Sequence, residues 1–370
     1  MSETILQFGA GNFLRAFVDL FAEQANRQPE TAVGRIVVVQ STGMERADRL
    51  NQAGGRYHVA IQGFRDGKVV DETEPVSSIS RALHAGTQWD EVLGVARSPE
   101  LRWIISNTTE AGFSLDERDR EPGGVPVSFP AKLLDVLTVR YRASQPPPVV
   151  IPCELLEDNA ARLRGLVLEQ AARWKLDPGC TEWIRNGCGW LNNLVDRIVP
   201  GPPKSHPLSG LDPLLLSAEP FALWAVETGG PFRFCHPAVL VSTDIRPHSL
   251  RKIRILNGAH TALVCQALPR GFTTVRQCME DPAMLAWLEG LLFGEIVPVL
   301  EGRVEDPEGF ARTTLDRFRN PFLEHALASI ALNQEAKLKT RLEPTLREYR
   351  ERFGKNPPLL SAILDSPPVA

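Results

Sequence analysis

The sequence predicts an α/β protein built in two parts, a Rossmann-type doubly wound domain over residues 1–245 and a mostly α-helical domain over residues 246–370. Three features predict it. The apolar segment at residues 4–8 runs straight into the turn Gly9-Ala10-Gly11 and then into helical spacing. Apolar strands alternate with helical segments from there to about residue 245, as in a parallel sheet wrapped by helices. Beyond Ile245-Arg246-Pro247 helical periodicity takes over. A chain of 370 residues also exceeds the ~250–300 that one core usually serves.

Strand, glycine turn and helix in that order are the context a dinucleotide fingerprint requires. Gly9 allows the tight turn, Gly11 lets backbone approach a pyrophosphate, and the helix start offers N–H groups to the anion. Leu14 stands where the third glycine would be, so an ordinary βα turn remains an open alternative. Residues 35–40 form the second strand. Its end carries Gln40-Ser41-Thr42, with Arg46 nearby, where an acid usually holds the adenosine ribose. Gln40 can meet a ribose hydroxyl and Ser41 or Arg46 a 2′-phosphate, which leaves NAD and NADP both open.

Residues 57–64 and 68–74 read as a hairpin turning through Asp66-Gly67. Residues 101–106 and 149–152 are further buried strands. They exit into Asn107-Thr108-Thr109-Glu110 and Cys153-Glu154, and polar residues at such ends face the ligand crevice. A helix over 159–174 follows. Asn192, Asn193, Asp196 and Arg197 form one polar cluster, and Pro200-Gly201-Pro202-Pro203 a stiff break. Residues 220–227 and 232–241 read as strands. Helices are expected over 251–264, 284–300, 310–318, 321–333 and 340–353, with an irregular tail after Asn356.

The helix at 251–264 holds the pattern K-x4-N-x2-H: Lys252, Asn257 and His260. At about 100° per residue, Lys252, His260 and Asn257 fall near 0°, 80° and 140°, with Leu256 and Leu263 between them. One flank then carries an amine, an imidazole and an amide among leucines, as a pocket wall would. The alternative is a buried helix whose lysine snorkels and whose Asn257 and His260 are satisfied core polars.

Composition is that of an ordinary soluble globular protein, 43% hydrophobic and 23% charged. A net charge of −4 with interspersed signs gives no footprint for nucleic acid. No signal peptide is visible, and no run approaches the ~20 apolar residues that span a bilayer. The six cysteines show no C-x-x-C pairing and read as reduced thiols of a cytoplasmic protein. Neither they nor the seven histidines have zinc spacing, so no metal is expected.

The chain resembles the mannitol dehydrogenase family, the polyol-specific long-chain dehydrogenases and reductases. The resemblance rests on GAGNFLR at 9–15, TTEAGF at 108–113, NLVDRIVP at 193–200 with Asn192 before it, EPFALWAVE at 219–227 and KIRILNGAH at 252–260. CELLEDN at 153–159, residues 251–264 and residues 317–346 look like the family's tagaturonate reductase branch. The resemblance implies reduction of a keto-uronate to an aldonate, D-tagaturonate to D-altronate, with NAD as cofactor and NADP not excluded. It gives Lys252 the acid/base role, which suits a lysine only if burial lowers its pKa from ~10.4 towards neutrality. Asn257 and Asn192 would donate to the developing alkoxide, and His260 would hold a substrate hydroxyl and orient Lys252.

Gly9, Gly11, Asn12, Phe13, Arg15, Gln40, Asn107 and Thr108 are the candidate cofactor contacts. His325, Lys337 and Arg341 match the positions that would bind the uronate carboxylate, for which Arg is suited. Lys337 and Arg341, four apart, could equally line a solvated helix face, and Arg317 could serve only to pin the Asn320-Pro321 turn. Glu110 and Glu154 are candidates for a supporting role. The rival functions are D-fructuronate reductase, a polyol or polyol-phosphate dehydrogenase, and a non-catalytic dinucleotide-binding sensor. The expected partner is a small sugar acid, with no nucleic acid or membrane, and the default state is a monomer.

Overall fold

The computed structural model describes all residues except 66, 109, 231 and 366–370. The chain divides into two compact units. The first comprises Met1–Ala60, Glu72–Ala218 and Ala222–Thr243; the second comprises Ile61–Asp71, Glu219–Phe221 and Asp244–Ala370. The strands in chain order are β1 (Glu3–Phe8), β2 (Arg35–Gln40), β3 (Tyr57–Arg65), β4 (Lys68–Val76), β5 (Ile79–His84), β6 (Trp103–Ser106), β7 (Val149–Pro152), β8 (Gly189–Trp190), β9 (Asn193–Asp196), β10 (Leu216–Ala218), β11 (Leu223–Glu227) and β12 (Val239–Ser242). Asp66 of the expected hairpin turn lies outside the described residues, between β3 and β4.

The first unit is organised on a six-stranded sheet of order β5-β2-β1-β6-β7-β8, parallel throughout. Its central strands are apolar on both faces, as parallel strands covered by helices must be: Ile36, Val37, Val38 and Val39 are all at 0% exposure. On one face Leu6, Phe8, Val37 and Ile104 pack with the helices Trp89–Ala96, Phe129–Arg142 and Asn159–Arg173. A small mixed sheet, β12-β11-β9, also belongs to this unit, and Trp224 of β11 meets Phe17 at 5.8 Å between ring centroids. The doubly wound reading holds. Strand order changes direction at β1, with β2 on one side and β6 on the other, so the exits of β1 and β6 flank the topological switch point.

The second unit is mostly helical around Gly258–Ala267. That helix is apolar nearly all round, which suits a central position: Ala259, Ala262, Leu263, Val264 and Ala267 are in one core with Leu288, Leu292, Leu315 and Leu342. Several elements differ from the sequence expectation. The strand expected over 232–241 is only Val239–Ser242. Phe232 and Phe234, which alternate as in a strand, instead stack against each other and pack edge-on against Trp224. The helix expected over 321–333 is only Leu327–Ala331, because the Asn320 side chain accepts from the Phe322 N–H and turns the chain first. The tail forms a helix, Pro358–Leu364, whose Leu360 and Ile363 enter the core.

One correction concerns length. Pro282–Leu300 is a continuous helical stretch of 19 residues, long and apolar enough to cross a membrane by length and composition alone. Gly290, Gly294, Glu289 and Glu295 break the apolar run without interrupting the helix. Half of it is buried, and Met284, Leu288, Leu291, Leu292, Ile296 and Leu300 lie in the second unit's core.

The regular α-helix expected at 251–264 is also corrected. Lys252–Asn257 is a π-helical turn between Arg246–Arg251 and Gly258–Ala267. Leu338–Leu342 is another, and the two pack together. Such widened turns are rare and concentrate at functional sites.

Candidate active site

In the first unit, Gly9 adopts φ +121°, and a Cβ there would lie 2.8 Å from the Asn107 carbonyl oxygen. Only glycine fits where β1 and β6 exit together. Gly11 differs: a Cβ on it would meet nothing within 4 Å. Its backbone borders open space, which is what close approach of a pyrophosphate requires. Leu14, in place of the third glycine, is fully buried, and the helix breaks after Arg15 before resuming at Val18–Ala25.

The other cofactor candidates divide between the open side of the turn and its support. Phe13 is half-buried and stacks on Phe17 at 4.9 Å. Arg15 belongs to the support of the turn in this structure. It is buried, and its guanidinium donates to the Leu214 carbonyl at 2.7 Å and to Asn12 Oδ1 at 2.9 Å. Gln40 donates to the Thr42 carbonyl and accepts from the Ala47 N–H at 2.6 Å, joining the end of β2 to the next helix. Asn107 donates to the Cys153 carbonyl at 2.7 Å. Thr108 is held through its N–H and hydroxyl by Glu154, at 2.8 and 3.1 Å, and Ser106 donates to the other carboxylate oxygen. Burial raises the Glu154 carboxyl, with the bonds from Thr108 and Ser106 opposing it. Glu154 therefore supports the loop after β6, as its place at the β7 exit suggested.

Asn192 also lies in the first unit. Its Oδ1 accepts from the Ala161 N–H at 3.1 Å, in the first turn of the helix Asn159–Arg173, and its Nδ2 donates to Glu227 at 3.0 Å. Asn193 next to it is a buried structural residue that donates to the Pro152 carbonyl and accepts from the Trp224 indole. The expected polar cluster thus separates: Asn192 is half-buried, while Asn193 and Asp196 are buried.

In the second unit the π turn changes the geometry of the catalytic candidates. In an α-helix Lys252 and Asn257 would stand about 140° apart. An i→i+5 turn holds one more residue, so positions five apart approach the same side. Lys252 and Asn257 are the two ends of this turn and both are half-buried. His260 follows on the central helix, buried between Phe318, stacked at 4.2 Å, and His325, edge-on at 4.9 Å. Its Nε2 is shielded from solvent and has no hydrogen-bond partner among the described residues.

Burial, then the charges of His325, Arg317, Arg341 and Lys337, hold His260 well below its usual range, so the ring is neutral. All three predicted carboxylate binders are thus brought to His260. Arg341 donates to Thr261 Oγ1 at 3.1 Å and to the Asn257 carbonyl at 3.4 Å. Lys337 donates to the Ile330 carbonyl at 2.7 Å. Burial lowers both, and His325 as well.

Arg317 does more than pin a turn. It forms a bidentate pair with Glu219 at 2.8 and 2.9 Å, both side chains 2% exposed, and lies over the Phe221 ring at 4.3 Å. Neither Glu219 nor Phe318 was expected at the site. Their only sequence signal is membership of the motifs at 219–227 and 317–346.

One cleft of the first unit, about 660 Å³, lies elsewhere, at the N-terminal edge of its sheet among Arg27, Arg35, Arg56, Ser77, Ser78 and Ser80. Many of its polar groups are already committed, Arg35 to the Ile79 carbonyl and Ser77 to Glu23.

Comparison with known proteins finds a family for the chain. The profile of the mannitol dehydrogenase Rossmann domain matches residues 3–232, and that of the mannitol dehydrogenase C-terminal domain matches residues 244–364. The chain is 41% identical to an altronate oxidoreductase of Bacillus subtilis, over 96% of this chain and 77% of the relative. It is 38% identical to an altronate oxidoreductase of Yersinia enterocolitica, over 98% and 78%. Among solved structures, the mannitol 2-dehydrogenase of Pseudomonas fluorescens in ternary complex with NAD and D-mannitol superposes with TM-score 0.78 at 24% identity, over 98% of this chain and 78% of that one. A substrate-free D-sorbitol dehydrogenase does so with TM-score 0.82 at 24% identity, over 95% and 77%; these two likenesses concern the fold. The chain belongs to the mannitol dehydrogenase family.

Proposed function

We propose that this protein is an NAD-dependent oxidoreductase that reduces a keto-uronate to an aldonate, D-tagaturonate to D-altronate. Residues 1–245 would form the dinucleotide-binding domain and residues 246–370 the substrate domain. The observation that carries the substrate class is the set of cationic and basic side chains, His325, Lys337 and Arg341, around the buried His260; the charge of Arg317 is taken up by Glu219. A neutral polyol needs no such set; a sugar carboxylate does. The altronate oxidoreductase name of the relatives points to the same pair of compounds.

When bound, NAD in its reduced form supplies the hydride. The turn at Gly9 and Gly11 fits the dinucleotide, since Gly11 borders open space and no side chain fills it. Lys252 delivers the proton to the former ketone oxygen, and Asn257, brought to the same side by the wide turn, donates to that oxygen as charge develops. Preorganised donors of this kind typically contribute ~2.7–4 kcal/mol to the barrier. His260 stays neutral, and its unpaired Nε2 suits a substrate hydroxyl. Asn192 is proposed as a second alkoxide donor on the family resemblance, with Glu227 orienting its amide. The polarising work falls to these side chains, with no metal required. Six free thiols support a reducing, cytoplasmic setting, and a monomer is the proposed state.

The test is oxidation of NADH and of NADPH with D-tagaturonate, D-fructuronate, D-fructose and fructose 6-phosphate. Turnover is expected with NADH and D-tagaturonate. Turnover on fructose alone would keep the lysine mechanism and reject the carboxylate site. Silence on all four with NADH still bound would favour a non-catalytic sensor.

A further inference from the structure

Beneath the glycine turn of the first unit lies a closed polar knot that the proposed chemistry does not use. Gln7, Asp19, Tyr57 and Arg15 are all buried, at 0, 0, 2 and 4% exposure. Their bonds reach three points of the turn. Gln7 Nε2 donates to the Gly9 carbonyl at 3.1 Å, Arg15 to Asn12 Oδ1 at 2.9 Å, and the Tyr57 hydroxyl to the Arg15 carbonyl at 2.7 Å. Asp19 sits among them. Its Oδ2 lies 3.4 Å from the Tyr57 hydroxyl, and its backbone carbonyl accepts from Ser78 at 2.7 Å.

Three buried atoms of this knot have no hydrogen-bond partner among the described residues: Gln7 Oε1, Arg15 Nε and Asp19 Oδ1. Buried polar atoms are almost always paired, so three in one cluster need a reason. With two acceptors against one donor, the set lacks a donor, and a proton on the carboxyl supplies it. We propose that Asp19 is the positioning residue of the dinucleotide turn: through Gln7 and Arg15 it sets Gly9 and Asn12, and cofactor binding takes up a proton from solvent at its carboxyl.

This inference rests on the NAD reading above. A pyrophosphate at Gly11 and an ionised Asp19 repel across a buried, weakly screening medium, so the bound state favours the neutral acid. Burial already pushes the carboxyl up to about 7, against the opposing Arg15 charge and the Gln7 and Tyr57 bonds. The other charges facing the knot are Glu23, which acts on Tyr57, and Arg46 and Asp212, which act on Arg15.

The experiment is titration of the intact protein with NADH, followed by its fluorescence, from about pH 5.5 to about pH 8.5. The dissociation constant should rise about tenfold across that range, as a rise of one pKa unit on binding requires. Asp19→Asn should bind with a nearly flat profile at the wild type's low-pH strength. Tyr57→Phe removes a bond that favours the ionised form and should move the bend to higher pH; it carries the test should Asp19→Asn fail to fold. The same slope in Asp19→Asn as in wild type, or an unmoved bend in Tyr57→Phe, overturns the proposal. Failure of the wild type to bind NADH at any pH overturns the NAD reading, and the proposal with it.

Discussion

Lys252 and Arg341 separate the two halves of the proposed chemistry. Lys252→Ala removes the proton donor and should lower kcat by about 10²–10⁴-fold while NADH binding is retained. Lys252→Arg should not rescue it, because a guanidinium does not give up its proton. Pre-steady-state turnover with a separate NADH titration checks both, and unchanged kcat in Lys252→Ala would remove the lysine from the mechanism. Arg341 is held at Thr261 and the Asn257 carbonyl. Arg341→Lys keeps the charge and loses the planar fork, so KM for the uronate should rise about tenfold with kcat little changed. The spacing of Lys252, Asn257 and His260 was legible in the sequence, because it depends on neighbours a few residues away. The duty of Arg15 was not: its main acceptor, the Leu214 carbonyl, lies 199 residues along the chain. Glu219 was hidden from sequence reasoning for the same reason, 98 residues from Arg317.

At the scale of elements, the catalytic helix was legible and its wide turn was not. Apolar periodicity marks a helix, but the insertion of one residue into a turn is decided by what packs against it. Here the packing is visible. Arg254, inside the Lys252–Asn257 turn and buried, donates to Thr345 at 2.7 Å and to Glu348 at 3.0 Å, while Arg341 reaches back to Asn257. Arg341 thus ties the turn at Leu338–Leu342 to the turn at Lys252–Asn257, and Arg254 ties the latter to the helix Glu343–Phe353. Arg254→Met keeps the aliphatic stem and removes the ties. It should cost about 1–3 kcal/mol of stability, the penalty for unpaired buried groups, and should lower kcat by freeing Asn257 from register with Lys252. Denaturant titration and turnover on the same preparation check this. A loss of stability with kcat intact would mean that the turn holds its shape without Arg254.

At the scale of the whole molecule, the alternation of strands and helices followed by helices alone was enough to read a doubly wound unit and a helical one. What the sequence could not show is their interleaving: residues 61–71 and 219–221 belong to the second unit although they lie within the span of the first. Long-range packing of this kind leaves no local pattern. The same holds for charge, because burial, not composition, sets the sign of the pH response. Asp19, pushed up to about 7, keeps a proton in the folded state that the unfolded chain loses near pH ~3.9. Its contribution to stability is therefore full below about pH 4 and is lost as pH rises through about 7. Glu154 and Glu295, raised by burial, act with the same sign. Glu3, lowered by Arg81, acts oppositely, but its contribution is lost only as pH falls through its own depressed value. The histidines held neutral by burial, His236, His248, His260 and His325, act oppositely below about pH 6.5. The Asp19 contribution is therefore read as a difference: the melting temperature of the wild type relative to Asp19→Asn should rise as pH is lowered from about 8 to about 5.5. Asp19→Asn should thus gain on the wild type towards alkaline pH. If the two melting curves kept a constant separation across the range, Asp19 would be ionised throughout, and the buried knot would have to hold its charge through Arg15 instead.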